Sequence, residues 1–393
     1  MRVLDLTLFY PPQAGGAVTT TLEFIRALLK KGYEVEVLAP SKDEYIDSLK
    51  LCNDEINELN DDRIVHRIRL PRKFKKWTVC YSYWLYALKK LRTKKFDLIL
   101  AHFHFNTGMG WTAFLLSKLI KCPYYIRIHD IYKPITFKHK VLFFVNKTPL
   151  KKCEKILVIN EVSKQLLVSS HLAPAHKIEV VPNGVSDIEP RNTIKRQKRK
   201  VGFIGAISGN RGFELLIPVL QEVKKTISDI EFHLVGDGPK LKDICMELQK
   251  HEELKGNLYI HGALAREKAL SIVADMDLCL GLLGRSYNNE YQLLIKLIES
   301  IHLGIPWISV NTKGVHEFNQ ITQSGIVVNE DARELADAIV TLLTDNAGYE
   351  EKVKNCRLNR HHYDWENIAV KLDLILREQR RGSHENIRVH TSY

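Results

Sequence analysis

The chain has 393 residues, 45% of them hydrophobic, and a formal net charge of +12, which is too long for one ordinary core and suits two domains of about 150–200 residues each. No uninterrupted apolar run reaches the roughly 18 residues of a membrane span, and the seven cysteines form no CxxC pair, which argues against a helical membrane protein, a disulfide framework and a zinc site. The positive balance favours phosphorylated substrates or an acidic membrane surface; no recognised nucleic-acid-binding motif accompanies it, so no nucleic acid is expected.

The opening "MRVLDLTLFYPP" reads as a strand entering a loop, without a signal peptide's cleavage site, so a cytoplasmic home is expected. Gly15 and Gly16 then lead into the helix "TTTLEFIRALLKKG", where backbone amides at a helix start suit an anion, although a tight turn uses glycine equally well. Strand "YEVEVLAP" follows. From 63 to 95 there is no acidic residue, and the basic residues alternate with Trp77, Tyr81, Tyr83, Trp84 and Tyr86. Next come strand "FDLILAH", helix "GWTAFLLSKLIK", strand "YYIRIHD", a second basic and aromatic stretch from 132 to 152, and strand "KILVIN". Such stretches suit the level where lipid headgroups meet acyl chains, or else form solvated helix faces with their aromatics turned inward. His102, His129 and Asp130 end their strands, and strand carboxyl ends are where this architecture binds ligands.

The polar, turn-rich run from Pro182 to Lys200 is the linker candidate. It divides the chain into a first domain at 1–185, a linker at 186–199 and a second domain at 200–362, with a helix at about 363–380 packing back on the first domain and a mobile tail at 381–393. The second half opens with strand "KVGFIG" and the loop "AISGNRG", in which Arg211 precedes a helix near Phe213. A guanidinium and a helix dipole together make a corner for a diphosphate, unless Arg211 pairs with Glu214. Gly236, Asp237 and Gly238 follow the next strand, either admitting a flat base or ribose or forming an ordinary turn. Further on, "YQLLIKLIESIHLGIPWISV" repeats Leu293, Leu294, Leu297, Ile298 and Ile301 at helical spacing before Gly304 and Pro306, and places Lys296 and Glu299 along one edge. That is either an i,i+3 surface ion pair or a functional pair. Strand and helix alternate from end to end, which predicts α/β architecture with two Rossmann-like, doubly wound domains facing across a cleft.

In order, "YPPQAGG", "HD" after a strand, "VVPNGV", "GFIGAISGNRG", "LVGDGP", "KLIESIHLGIPWIS", "GIVVNEDARELADAI" and "YDW" resemble the retaining, nucleotide-sugar-dependent glycosyltransferases of family four, which have the GT-B fold. The resemblance runs from Met1 to about Ile375. It implies transfer of a sugar from a UDP- or GDP-sugar to a glycan or lipid-linked acceptor, with no metal and no other cofactor. His129, Arg211 and Glu299 would be the catalytic residues; Gly15, Gly16, Gly205, Arg211, Gly236, Asp237, Gly238, Lys296 and Glu299 would bind the donor. Glu299 would contact the donor ribose, as the second glutamate of the family's E-x7-E pattern does. Tyr291 stands where the first glutamate is expected, and Ala206 where an arginine often binds the diphosphate; Arg285 or Lys296 would then supply the missing charge. The basic stretches at 63–95 and 132–152 would hold the protein peripherally on the inner face of an anionic membrane. A catalytically silent subunit and a nucleotide-sugar epimerase are the alternatives.

Overall fold

In a computed structural model of the protein, the described residues are 1–11, 16–41, 64–69, 75–186, 188, 199–209, 212–284 and 289–390, with 75–79 and 379–390 described by backbone alone. Gly15, Arg211, Arg285 and linker residues 187 and 189–198 lie outside them, as do 63 and 70–74 of the first basic stretch. The first half alternates β1 (Arg2–Leu6), α1 (Gly16–Lys30), β2 (Glu34–Pro40), β3 (Val65–Ile68), α2 (Lys75–Lys90), β4 (Leu98–His104), α3 (Met109–Ile120), β5 (Tyr124–Asp130), α4 (Phe137–Lys152), β6 (Lys155–Val158), α5 (Glu161–Ser169) and β7 (Ile178–Val180). The second contains β8 (Lys200–Ile204), α6 (Leu216–Lys224), β9 (Glu231–Val235), α7 (Leu241–Gln249), β10 (Leu258–Gly262), α8 (Arg266–Ala274), β11 (Leu278–Gly281), α9 (Ile295–His302), β12 (Trp307–Val310), α10 (Lys313–Thr322), β13 (Gly325–Val328), α11 (Ala332–Thr344), α12 (Asn346–Asn359) and α13 (Trp365–His390).

Both sheets are parallel, with strand orders β3-β2-β1-β4-β5-β6-β7 and β10-β9-β8-β11-β12-β13. In each, the order reverses beside the first strand, which opens a crevice at the strand carboxyl ends. β1, β4 and β5 are buried along nearly their whole length, as strands covered by helices on both faces must be. Two crossings join the halves. Val185 donates its N–H to the Tyr363 carbonyl at 3.0 Å, and Trp365 donates to the Val185 carbonyl at 3.3 Å, so the outgoing and returning chains pair at one point. Beyond it α13 lays Trp365, Ile368, Ala369, Leu372, Ile375 and Leu376, at helical spacing, into the core formed by α1 and the first sheet. On the other side Glu317 of α10 accepts the N–H groups of Glu161 and Val162, each at 2.8 Å, capping α5 of the first domain from the second.

Two expected helix limits are corrected here. The helix α13, expected to end near 380, continues through His390; residues 391–393 of the expected mobile tail lie outside the described residues. The helix expected from Tyr291 begins only at Ile295; Leu293 and Leu294 are buried ahead of it, mimicking its spacing.

Candidate active site

Helix α9 sits almost wholly in the core, since Leu297, Ile298 and Ile301 pack on the second sheet and the left-handed Gly304, at φ 68°, ends it. Its polar side chains are therefore buried too. Lys296 is 8% and Glu299 6% exposed, which rules out the surface-pair reading. Glu299 Oε1 accepts from Arg266 Nη2 at 3.0 Å, and burial pushes the Glu299 carboxyl above its ordinary pKa against the pull of Arg266 and Lys296. The Lys296 ammonium lies 3.4 Å from the Phe203 ring centroid, and a Cβ added to Gly205 would stand 3.4 Å from that nitrogen. A cation thus lies at the end of β8, beside the exposed Ala206. Arg266 was not anticipated from sequence. Its signal was a basic residue in the first turn of a helix, where the dipole disfavours it unless a carboxylate compensates.

Gly236 and Gly238 shape the loop beside this edge. Their φ values are 147° and 159°, and a Cβ on either would overlap the carbonyl oxygen of Gly205 or Ile207. The room left by their missing side chains is filled by the neighbouring loop, to which Asp237 adds a 3.0 Å bond from the Ile207 N–H to its carbonyl. These glycines hold Gly205 in position next to Lys296.

The facing wall comes from the first sheet. Asp5 of β1, His102 of β4 and His129 of β5 form a buried chain: His102 Nε2 to Asp5 Oδ2 at 3.0 Å, and His102 Nδ1 to His129 Nε2 at 2.7 Å. His104 stacks on His129 and meets Asp130 Oδ2 at 3.1 Å. The β4–β5 register slips between Phe103 and His104, leaving His129 as the residue skipped by the pairing, and such irregularities re-aim side chains. Burial, with His102, His104 and Arg127 near, holds His129 well below the ordinary imidazole pKa. A carboxylate only accepts, so His102 Nε2–H donates to Asp5 Oδ2; His102 Nδ1 then accepts from His129 Nε2–H, and neutral His129 keeps a lone pair on Nδ1.

This burial has a measurable consequence. His129, His233 and His302 all have pKa values lowered by burial from 6.5. Between the folded values and 6.5 the unfolded chain binds more protons, so stability falls as pH drops through that window. Urea midpoints are expected to decrease from pH 7.5 to 5.5, and His129→Phe should flatten the decline; a pH-independent midpoint would contradict the neutral assignment.

The segment leading into α9 leans across the cleft. Gln292 Nε2 donates to Asp130 Oδ1 at 3.3 Å, Asn160 Nδ2 donates to the Tyr291 carbonyl at 2.9 Å, and a Cβ on Gly16 would lie 3.9 Å from Ile295. Gly16 and the end of β5 after His129 are thereby joined to the segment that leads into Lys296 and Glu299. Tyr291 itself is packed into the core of the first domain, so its side chain fills a structural position. Among the described residues, no group of three His, Cys, Asp or Glu could hold a metal ion. A separate cavity of about 640 Å³ between α5 and α10, lined by Glu161, Glu290, Lys313 and Glu317 among others, contains none of the expected site residues.

Comparison with known proteins follows the same division. The Glycosyltransferase Family 4 profile matches residues 14–187 and the Glycosyl transferases group 1 profile residues 198–345. The GPI3 subunit of phosphatidylinositol N-acetylglucosaminyltransferase from Saccharomyces cerevisiae is 24% identical over 264 residues, 62% of this chain and 55% of that protein. The chain thus spans about half the length of that curated relative. The 2-deoxystreptamine glucosyltransferase of Streptomyces kanamyceticus is 24% identical over 277 residues, covering 64% of this chain and 69% of that one. Among solved structures, Anabaena Alr3699/HepE in complex with UDP-glucose superposes with a TM-score of 0.70 at 16% identity, over 96% of this chain and 100% of that one. Sucrose-phosphate synthase of Thermosynechococcus elongatus gives 0.74 at 17% identity, over 97% and 99%. These structures share the GT-B fold with this chain.

Proposed function

The chain belongs to the family-four, group 1 glycosyltransferases, and from that membership we propose that it transfers a sugar from a UDP- or GDP-sugar to an acceptor hydroxyl with retention at the anomeric carbon. The observation that carries this reading is the buried Lys296–Glu299 edge of α9, braced by Arg266 and Gly205, with the segment before it bonded to Asp130 beside the neutral His129. In the proposed step, the bond from the anomeric carbon to the diphosphate oxygen breaks and the acceptor oxygen bonds on the same face. The acceptor proton passes to the departing phosphate oxygen. Lys296 would meet the charge that develops on the diphosphate, joined by Arg211, which lies outside the described residues. Glu299 would accept the ribose hydroxyls. His129 Nδ1 would accept a hydroxyl of the donor sugar, its tautomer held by His102 and Asp5. Cationic side chains replace a metal in this scheme, and closure of the cleft limits hydrolysis.

The relatives' names include phosphatidylinositol and 2-deoxystreptamine, so the acceptor class is open to either chemistry. The basic first domain favours a lipid-linked or glycan acceptor met at an anionic surface, in polysaccharide, glycolipid or lipid-linked glycan assembly. The test is calorimetry with UDP-, GDP-, ADP- and dTDP-sugars in the presence of a chelator, followed by NMR of the product's anomeric proton. Selective binding and a retained anomer are expected. Absence of binding by every nucleotide sugar would move the silent-subunit reading, which Ala206 supports, to first place, and interconversion of the donor sugar without acceptor would favour an epimerase.

A further inference from the structure

Helix α4 has an outward face that nothing in the transferase reading uses. Thr136 caps it, its hydroxyl accepting the His139 N–H at 3.2 Å. His139, Leu142, Phe143, Asn146 and Leu150 turn inward. At about 100° per residue, the opposite line carries Phe137, Val141 and Phe144, and Phe137 and Phe144 are 83% and 79% exposed. Ile135, just before the helix, is 65% exposed. Exposed phenylalanines at i and i+7, with a valine between, are not a normal scatter of surface apolar residues.

The residues beside that stripe are lysines. Between 132 and 152 there are six of them, Lys133, Lys138, Lys140, Lys147, Lys151 and Lys152, and no acidic residue. On the helical wheel Lys140, Lys147 and Lys151 border the stripe on one side, Lys138 and Lys152 on the other. A second copy of this chain would bring lysines against lysines, so the charge argues against self-association. α2, which packs on α3 as α4 does, adds exposed Tyr81, Lys89 and Lys90 to the same side of the sheet. We infer that α4 docks the protein on an anionic lipid bilayer, with Phe137, Val141, Phe144 and Ile135 entering the headgroup region and the flanking lysines meeting the lipid charge. Phe137 follows Asp130, the last residue of the strand that carries His129, by seven residues in sequence. The placement rests on the proposed function only in what it delivers, a lipid-linked acceptor.

The test is sedimentation of the full chain with vesicles of phosphatidylglycerol and phosphatidylcholine, or of phosphatidylcholine alone, at low and high salt and without any sugar donor. Wild type is expected to pellet with the anionic vesicles only, less so at high salt. Phe137→Ser/Phe144→Ser should bind them about tenfold more weakly or less, having lost two side chains from the interface. Its unfolding midpoint and nucleotide-sugar binding should be unchanged, because both side chains face solvent. No binding by wild type, or equal binding by the double variant, overturns the inference. Self-association of wild type that the double variant loses overturns it in favour of a second copy. Since no donor is present, any of these results leaves the transferase reading intact, and a failure to bind nucleotide sugars leaves the docking intact.

Discussion

Replacing Glu299 with alanine is expected to lower donor kcat/KM by about a hundredfold while leaving the fold in place. A hydrogen bond to a charged group contributes about 1.5–3 kcal/mol, and each 1.36 kcal/mol is tenfold in rate, so loss of the ribose contact alone accounts for most of that factor. Arg266→Ala tests the other half of the pair. It leaves Glu299 buried without its partner, which costs less than the about 3–5 kcal/mol of a fully buried pair, since Arg266 is 26% exposed at its side chain. Burial already raises the Glu299 carboxyl, and without Arg266 it rises further. A raised folded value means that stability is present at low pH and is lost as pH climbs through it, so the Arg266→Ala deficit should shrink toward pH 5. Combining Arg266→Ala with Glu299→Gln should recover stability without recovering donor affinity. Calorimetry and urea unfolding on the variants separate the two effects; wild-type donor affinity in Glu299→Ala would remove Glu299 from the site.

How much of this was legible in the sequence depends on whether the information was local. The alternation of apolar strands and amphipathic helices is local, and it gave the two parallel sheets and the cleft between them. Burial of Lys296 and Glu299 was half-legible: their neighbours Leu297, Ile298 and Ile301 pointed inward, but an eight-residue helix can carry a polar edge at its surface as easily as in its core. Asp5 and His102 are 97 positions apart, and Arg266 and Glu299 33. No spacing rule connects residues brought together by separate strands and helices. The same limit applied to the glycines of the β9 loop, which leave room for the Gly205 and Ile207 carbonyls from another loop. Composition flagged the basic, aromatic segment at 132–152, yet only the folded helix separates its inward Phe143 from its outward Phe137 and Phe144.

Arg127 is the residue whose loss should hurt the fold most. It stands two positions before His129 on the same face of β5, is fully buried, and is brought down by burial to a pKa of about 9. Its guanidinium donates to Asn183 Oδ1 at 2.8 Å and lies 4.5 Å from the Phe24 ring centroid and 5.9 Å from that of Trp365. One side chain thereby joins three separate motifs, the "HD" strand, the "VVPNGV" crossing and the "YDW" return, at the point where Val185 pairs with Tyr363 and Trp365. Arg127→Ala leaves a cavity between two aromatic rings and an orphaned Asn183 carbonyl, and is expected to cost about 3–5 kcal/mol. Arg127→Met fills most of that volume and removes the buried charge, so its cost should be about 1–2 kcal/mol or less. If the guanidinium also sets the angle between the domains, the methionine variant will stay folded and still lose turnover, because Asn183 is no longer tied to the strand that presents His129. Urea unfolding of both variants beside donor turnover decides this. Stability of Arg127→Ala within about 1 kcal/mol of wild type would mean that the crossing holds without its cation, and full activity of Arg127→Met would confine Arg127 to packing.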